Sequence, residues 1–417
     1  MISKENIIHR IHLWNQKIKN ASFVARDYHI SSNYIKLKKI IAFVGARRVG
    51  KTTLMIQYIH ELIKEKIISR EQVVFLDCTD LLNQQIDVQD IITGYKQLYP
   101  NTKPWFFFDE IQNLNNFMNM ILSLYTQDYN IFITGSNSKV LSSELATELR
   151  GRSIDIKVYP LSCKEYLIFQ NYPLHDINEE DPLYRHHVNN YITRWGYPEI
   201  ALNPNNSIQY TLITNYLESL IYKDLQERYK IRSLQTLQHL VKKIIISNTK
   251  WFSIHKIYNE LKSLGISISK DTLYNYMHYI YSAFFYNEVV PYLKPNGQAK
   301  LYLNDRAYMN LNNEKKNLWQ KRENIVYNHL TQHQIQCHYI SHPSYELDFL
   351  TTSGEAIQAC HTVTLENQKR EIKPFWHKDL STTKHIIATP FPLEKTTKLP
   401  SSISIMTYKD MVEYNRE

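Results

Sequence analysis

Short apolar runs alternate with amphipathic stretches through the first 160 residues. Residues 39–44 (KIIAFV) form a β-branched run, and comparable runs recur near 72–77, 104–109, 130–135 and 153–158. Between them lie segments such as TLMIQYIHELIKEK, with apolar residues at helical spacing. Apolar strands separated by helices predict an α/β fold, a parallel sheet covered by helices on both faces. Residues 166–232 are helix-like and aromatic and read as a helical lid. Next, SIHKIYNELKS reads as a helix, Gly265 as a turn, and Ser269 as the cap of a second helix, KDTLYNYMHYIYSAFF. Two strand-like runs, YNEVVPYL and AKLYLND, are joined by Lys294-Pro295-Asn296-Gly297, a hairpin signal. Helix, turn, helix and hairpin together predict a winged helix over 233–305. A helix from Trp319 to Leu330 and the runs IQCHYIS, YELDFLTT and AIQACHTV, the last two joined at Ser353-Gly354, predict a separate α/β unit over 306–417.

The chain has 417 residues, 43% hydrophobic and 21% charged, which suits a globular protein of several domains. Cys78, Cys163, Cys337 and Cys360 are scattered, so neither a disulfide framework nor a structural zinc site is expected. No stretch reaches the roughly 18 apolar residues of a membrane span. The opening MISKENIIHRIHLWNQ lacks the apolar core of a signal peptide, so a cytoplasmic protein without membrane contact is expected. The net charge of +9 is compatible with a nucleic-acid partner and equally with a mildly basic protein from a Lys-rich genome.

Only nine glycines occur, and two flank the strongest motif, Gly45-Ala46-Arg47-Arg48-Val49-Gly50-Lys51-Thr52, a complete G-x-x-x-x-G-K-T between a strand and a helix. Glycines there let successive backbone N–H groups turn toward phosphate oxygens, and the helix start adds its dipole. Lys51 is placed to reach the β- and γ-phosphates and Thr52 to ligate Mg²⁺; Thr53 is counted with the loop as a nucleotide contact. The implied cofactors are ATP and Mg²⁺. About sixty residues on, Trp105-Phe106-Phe107-Phe108-Asp109-Glu110 is an apolar strand ending in two acids: Asp109 for the metal and Glu110 as the base that polarises water. The run Asn130 to Asn137 ends in polar residues, of which Thr134, Ser136 or Asn137 could orient the water. Arg150 or Arg152 could neutralise charge on the γ-phosphate, in the same subunit or a neighbour's.

Four stretches, RRVGKTTL, FFFDEIQN, IFITGSNSKVLSSEL and LRGRSIDIKVYPLSCKEY, resemble a group of prokaryotic AAA+-type ATPases that carry a C-terminal domain of unknown function. The likeness continues through GYPEI, YLESLIYKDLQERYKI and YELDF, and covers nearly the whole chain from about residue 20. It implies an additional-strand P-loop core over 1–165, a helical lid, a winged helix and a nuclease-like C-terminal fold. Lys51, Thr52, Asp109 and Glu110 are carried over to the family's ATP site, with Ser136 and Arg152. In the nuclease-like fold, Glu323 and Asp348 match the acidic positions, whereas Gln358-Ala359-Cys360 stands where Glu-x-Lys is expected. Without that lysine and third acid, metal-dependent cleavage loses its chemistry, so a scaffold or docking role is expected for this domain.

These features predict a Mg²⁺-ATP-hydrolysing switch or remodelling ATPase, acting on a protein partner or by self-association. An ATP-regulated DNA-binding or DNA-processing protein is the alternative, with contact through the winged helix at Lys270, Asn275 and His278. A non-enzymatic DNA-binding regulator would leave Glu110 without a purpose.

Overall fold

The computed structural model describes residues 4–30, 33–80, 87–136, 149, 151–194, 196–294, 297–312, 317–376, 382–393 and 397–414. The candidate residues Asn137 and Arg150 and the turn residues Pro295 and Asn296 lie outside them. The chain divides into two compact units, Met1–Val158 and Tyr159–Glu417.

In the first unit the five apolar runs become strands β1 (Ile40–Val44), β2 (Val73–Asp77), β3 (Trp105–Asp109), β4 (Asn130–Gly135) and β5 (Ser153–Lys157). They form one parallel sheet in the order β2-β3-β4-β1-β5. Strands β1 and β3 are buried along their whole length, as uninterrupted apolar sequence requires when helices cover both faces. Phe107 and Phe132, on neighbouring strands, stack with ring centroids 4.7 Å apart. The helix Lys4–Lys19 packs on edge strand β2 and on the helix Val88–Leu98. Gly94 permits that approach, since a Cβ there would stand 3.1 Å from a methyl of Ile7.

The strand order has a consequence for chemistry. Because β4 is inserted between β1 and β3, the carboxyl ends of all three are adjacent, with Val44 opposite Gly135 and Phe108 opposite Ile133. Parallel sheets present their ligand sites at those ends.

The second unit begins with helices Cys163–Phe169, Pro182–Thr193 and Asn206–Ser219, the last running on as a π-helix over Leu220–Glu227. Helices Leu234–Ile246, Ile254–Ser263 and Lys270–Ser282 follow, the last capped by the Ser269 hydroxyl. Strands β6 (Tyr286–Val289) and β7 (Lys300–Leu303) then pair antiparallel. The helix Leu318–Gln332 leads into a second five-stranded sheet of β8 (Cys337–His342), β9 (Tyr345–Thr351), β10 (Glu355–Ala359), β11 (Lys384–Thr389) and β12 (Ile403–Thr407). Its order is β12-β11-β10-β9-β8, antiparallel over β8 to β10 and parallel beyond. The runs read from the sequence correspond to the first three of these strands; β11 and β12 were not anticipated.

Glu323 and Asp348, the two acids expected together, lie near enough to influence each other, and a lysine joins Glu323 from an unexpected place. Lys300 of β7 is only 2% exposed, and its ammonium lies 3.3 Å from Glu323 on the helix Leu318–Gln332 and 2.5 Å from Glu346 on β9. The Tyr302 hydroxyl donates to the same Glu323 oxygen at 2.7 Å. Asp348 accepts from the Ala359 N–H at 2.9 Å, and its own N–H donates to Gln358 Oε1 at 3.3 Å. Burial alone would lower the Lys300 pKa, but Glu323, Asp348 and Glu346 together hold it above its ordinary value. Burial raises the Asp348 carboxyl, and Glu323 raises it further. The ammonium is thus an internal counter-ion that ties β7 to the helix and to β9. Removing one member of such a buried pair leaves an uncompensated charge, so Lys300→Met is expected to cost about 3–5 kcal/mol in denaturant unfolding. Adding Glu323→Gln to that variant should restore part of the loss; no difference between the single and double variants would show that the pair is not what holds β7.

Candidate active site

The loop Gly45–Gly50 leaves the carboxyl end of β1 and enters the helix Lys51–Lys64. Its two glycines are needed for different reasons. Gly50 has φ +91° and ψ +26°, a left-handed conformation that glycine adopts without strain. Gly45 is needed for space, because a Cβ there would stand 2.2 Å from the carbonyl oxygen of Val158. Arg48, exposed on the loop, also has a positive φ of +69°.

Lys51 is buried at the head of the helix, and its Nζ donates to the Ala46 carbonyl at 3.0 Å, which draws the side chain back over the loop. The same ammonium lies 3.5 Å from Glu110 Oε1. Burial lowers the Lys51 pKa, against the opposing pull of Glu110 and Asp109. The Thr52 hydroxyl, one residue on, lies 2.8 and 2.9 Å from the two carboxylate oxygens of Asp109 at the end of β3. Asp109 also accepts from the Thr134 hydroxyl of β4 at 2.6 Å. Burial pushes the Asp109 carboxyl up to about 6, while the hydrogen bond from Thr134 works in the opposite direction.

Glu110 begins a tight turn at φ +51° and ψ +52°. A left-handed glutamate costs roughly 1 kcal/mol or more and persists only when its surroundings fix it. They do so here: its N–H donates to Thr134 Oγ1 at 2.8 Å, and its carbonyl accepts from Asn113 Nδ2 at 2.9 Å. Its carboxylate is held by the Gln112 amide, which also reaches Ser136 Oγ at 3.3 Å. Burial would raise the Glu110 carboxyl, but Lys51 and the Gln112 hydrogen bond hold it below its ordinary value. A carboxylate so held is ionised at neutral pH and can accept a proton.

Lys51, Thr52, Asp109, Glu110 and Ser136 therefore converge from three separate segments, together with the loop from Gly45 to Thr53. Thr134, one of the three polar residues read as a water-orienting candidate, is fully buried and engaged with Asp109 and Glu110 on its two sides. It positions the acids instead. Arg152 is not brought to this cluster. It lies at the amino end of β5, where its carbonyl accepts from the N–H of Ile40 at the start of β1, and its guanidinium stands over the Tyr125 ring. The length of β1, about 15 Å, separates it from the loop of its own chain. Gln112 was missed by sequence reasoning, although it follows the acidic pair within the same turn.

Residues 37–167 match the family model described as an AAA domain, and residues 185–312 match one described as a domain of unknown function, DUF8612. Uncharacterized protein MJ1544 of Methanocaldococcus jannaschii is 32% identical over 390 residues, spanning 90% of this chain and 86% of that protein. An uncharacterized protein of Haemophilus influenzae is 25% identical over 368 residues, spanning 86% of this chain and 85% of its own. Among solved structures, the Walker-type ATPase PABY2304 of Pyrococcus abyssi is similar at 14% identity and a TM-score of 0.44, covering 75% of this chain and 95% of that one. Among the described residues no helix is long and apolar enough to cross a membrane. The extent of the match to MJ1544, with the AAA domain over the parallel sheet, places this chain in that family of prokaryotic P-loop ATPases.

Proposed function

We propose that the protein binds ATP with Mg²⁺ and hydrolyses it, using the cluster at the carboxyl ends of β1, β3 and β4. The observation that carries this reading is the convergence of a buried ammonium, a hydroxyl, two carboxylates and a serine on one loop of backbone N–H groups. The loop Gly45–Thr53 takes the triphosphate, with Lys51 on its β- and γ-oxygens. Thr52 and Asp109 fit a small hard cation, since their oxygens already lie within hydrogen-bond distance of each other. The bound ion would neutralise charge on the phosphate oxygens. Glu110 takes a proton from the attacking water, and Ser136 with Gln112 keeps its carboxylate aimed.

The Lys51–Glu110 contact suits a switch. Phosphate that engages the ammonium changes the partners of the catalytic carboxylate, so nucleotide occupancy is felt at Glu110 without any large motion. A second reading, contact with DNA, has a specific surface behind it. On the helix Lys270–Ser282, Leu273, Tyr276, Met277 and Ile280 are buried, whereas Lys270, Tyr274, Asn275, His278 and Tyr281 are exposed. With the β6–β7 ribbon this has the parts of a winged helix, and its outward face offers a cation, an amide and aromatic rings. No arginine stands on it, which favours contact without strong sequence preference.

Steady-state ATP hydrolysis by wild type, with and without double-stranded DNA, tests both readings. Lys51→Ala should abolish nucleotide binding and turnover together. Glu110→Gln should lower turnover by about 10²- to 10⁴-fold and keep ATP bound; undiminished turnover in that variant would sink the role given to Glu110. Gln112→Leu should lower kcat by between about tenfold and a hundredfold, with ADP affinity unchanged, because it loosens the base without touching the phosphate site. Stimulation by DNA that fades as salt is raised would support the second reading, and turnover indifferent to DNA would count against it.

A further inference from the structure

Upstream of β1, Arg26 makes a contact to the glycine loop that no motif announces. Arg26 is 4% exposed despite its charge, and its Nη1 donates to the carbonyl of Val49 at 2.6 Å. Its backbone is fastened to the helix that follows the loop. The Arg26 N–H donates to Gln57 Oε1 at 2.8 Å, and Gln57 Nε2 donates to the Arg26 carbonyl at 3.0 Å. Gln57 is itself buried on the helix Lys51–Lys64, so its side-chain amide closes the two-bond ring that a neighbouring strand would otherwise supply. The Tyr28 ring faces the guanidinium, with its centroid at 5.2 Å. Arg26 is therefore held by its main chain at a fixed place behind the loop, and its side chain reaches into it.

The peptide it grips is the sensitive one. In a planar trans peptide the C=O and N–H point in opposite directions. A Val49 carbonyl held on Arg26 consequently directs the Gly50 N–H away from Arg26. Gly50 sits at φ +91°, and glycine, having no Cβ, resists rotation of that peptide less than any other residue. A phosphate cradle works only when successive N–H groups converge on the same anion, so a flipped Val49–Gly50 peptide would present an oxygen to the phosphate. A bond from a charged donor is stronger than a neutral one and polarises the amide, which makes the N–H on its other side a better donor.

We propose that Arg26 is a positioning residue of the phosphate loop, fixing the Val49–Gly50 peptide so that the Gly50 N–H faces the nucleotide's phosphates. The proposal rests on the reading of Gly45–Thr53 as the ATP site. It assigns the segment before β1 a part in nucleotide affinity that its sequence, ASFVARDYHI, does not advertise. The guanidinium would act on the phosphates indirectly, through the Val49 carbonyl.

The test uses the full chain as wild type, Arg26→Met and Arg26→Lys. Mg-ADP affinity is measured by titration, ATP turnover at steady state, and thermal unfolding without nucleotide. Arg26→Met should weaken Mg-ADP about tenfold or more and raise the KM for ATP by a similar factor, as expected for losing a charge-assisted bond. Its kcat should change little, because the bond acts on phosphate binding in ground and transition states alike. Arg26→Lys, which keeps a charged donor, should recover most of the affinity. Equal Mg-ADP affinity in wild type and Arg26→Met, with only the unfolding midpoint lowered, would make Arg26 a structural anchor and overturn the proposal while leaving the ATP reading intact. A wild type that binds no nucleotide would remove the ATP reading and this proposal with it. Should Arg26→Met fail to fold, Arg26→Gln is compared with Arg26→Lys. Weaker binding by the uncharged variant supports the proposal, and equal binding overturns it.

Discussion

Burying a carboxylate is costly unless hydrogen bonds or cations compensate it, and the first unit is organised around one such group. Asp109 ends a strand buried along its whole length, at the carboxyl end of the sheet. Thr52 and Thr134 satisfy it from two sides, one from the helix after β1 and the other from β4. Both hydroxyls can be there only because β4 lies between β1 and β3. Sheet order, loop position and the ionisation of the site are consequences of one another. A different strand order would leave the same sequence with a stranded buried charge.

The neighbouring Glu110 stores strain where Asp109 stores charge. Its left-handed backbone is fixed by a bond at each end of the residue and its carboxylate by Gln112 and Lys51. Over-determination of this kind keeps the carboxylate in one orientation. It also couples that carboxylate to Lys51. The loop receives similar treatment from behind, where Arg26 and Gln57 set its position relative to the helix. The backbone of the glycine loop is thus braced by polar side chains from outside the motif.

The second unit uses a cation differently. Lys300, on β7, brings a positive charge to the carboxylates of Glu323 and Glu346, which come from two other elements. Glu323, Asp348 and Lys300 are all nearly inaccessible to solvent. Here the charges link β7, β9 and the helix Leu318–Gln332. Buried ionic groups of this sort often contribute specificity of arrangement more than net stability.

Local pattern alone was enough for several features of this protein. The five strands of the first sheet, the loop Gly45–Thr53, the acidic pair at Asp109 and Glu110, and the Ser269 cap each depend on neighbours within a few residues, and such information is contiguous in the chain. The order of the strands is not contiguous information, and everything conferred by side chains meeting across that order was decided by tertiary structure. Thr134 could be read as a residue near the γ-phosphate, yet the proximity of β3 assigns it to Asp109. Arg152 looks well placed by sequence distance, but a parallel strand starts at the far end of the sheet, which removes it from its own chain's site. Arg26, Gln57 and Lys300 belong to no motif, because an ammonium or guanidinium finds its partner through space, and only the packed chain brings a carbonyl or carboxylate within about 3 Å of it.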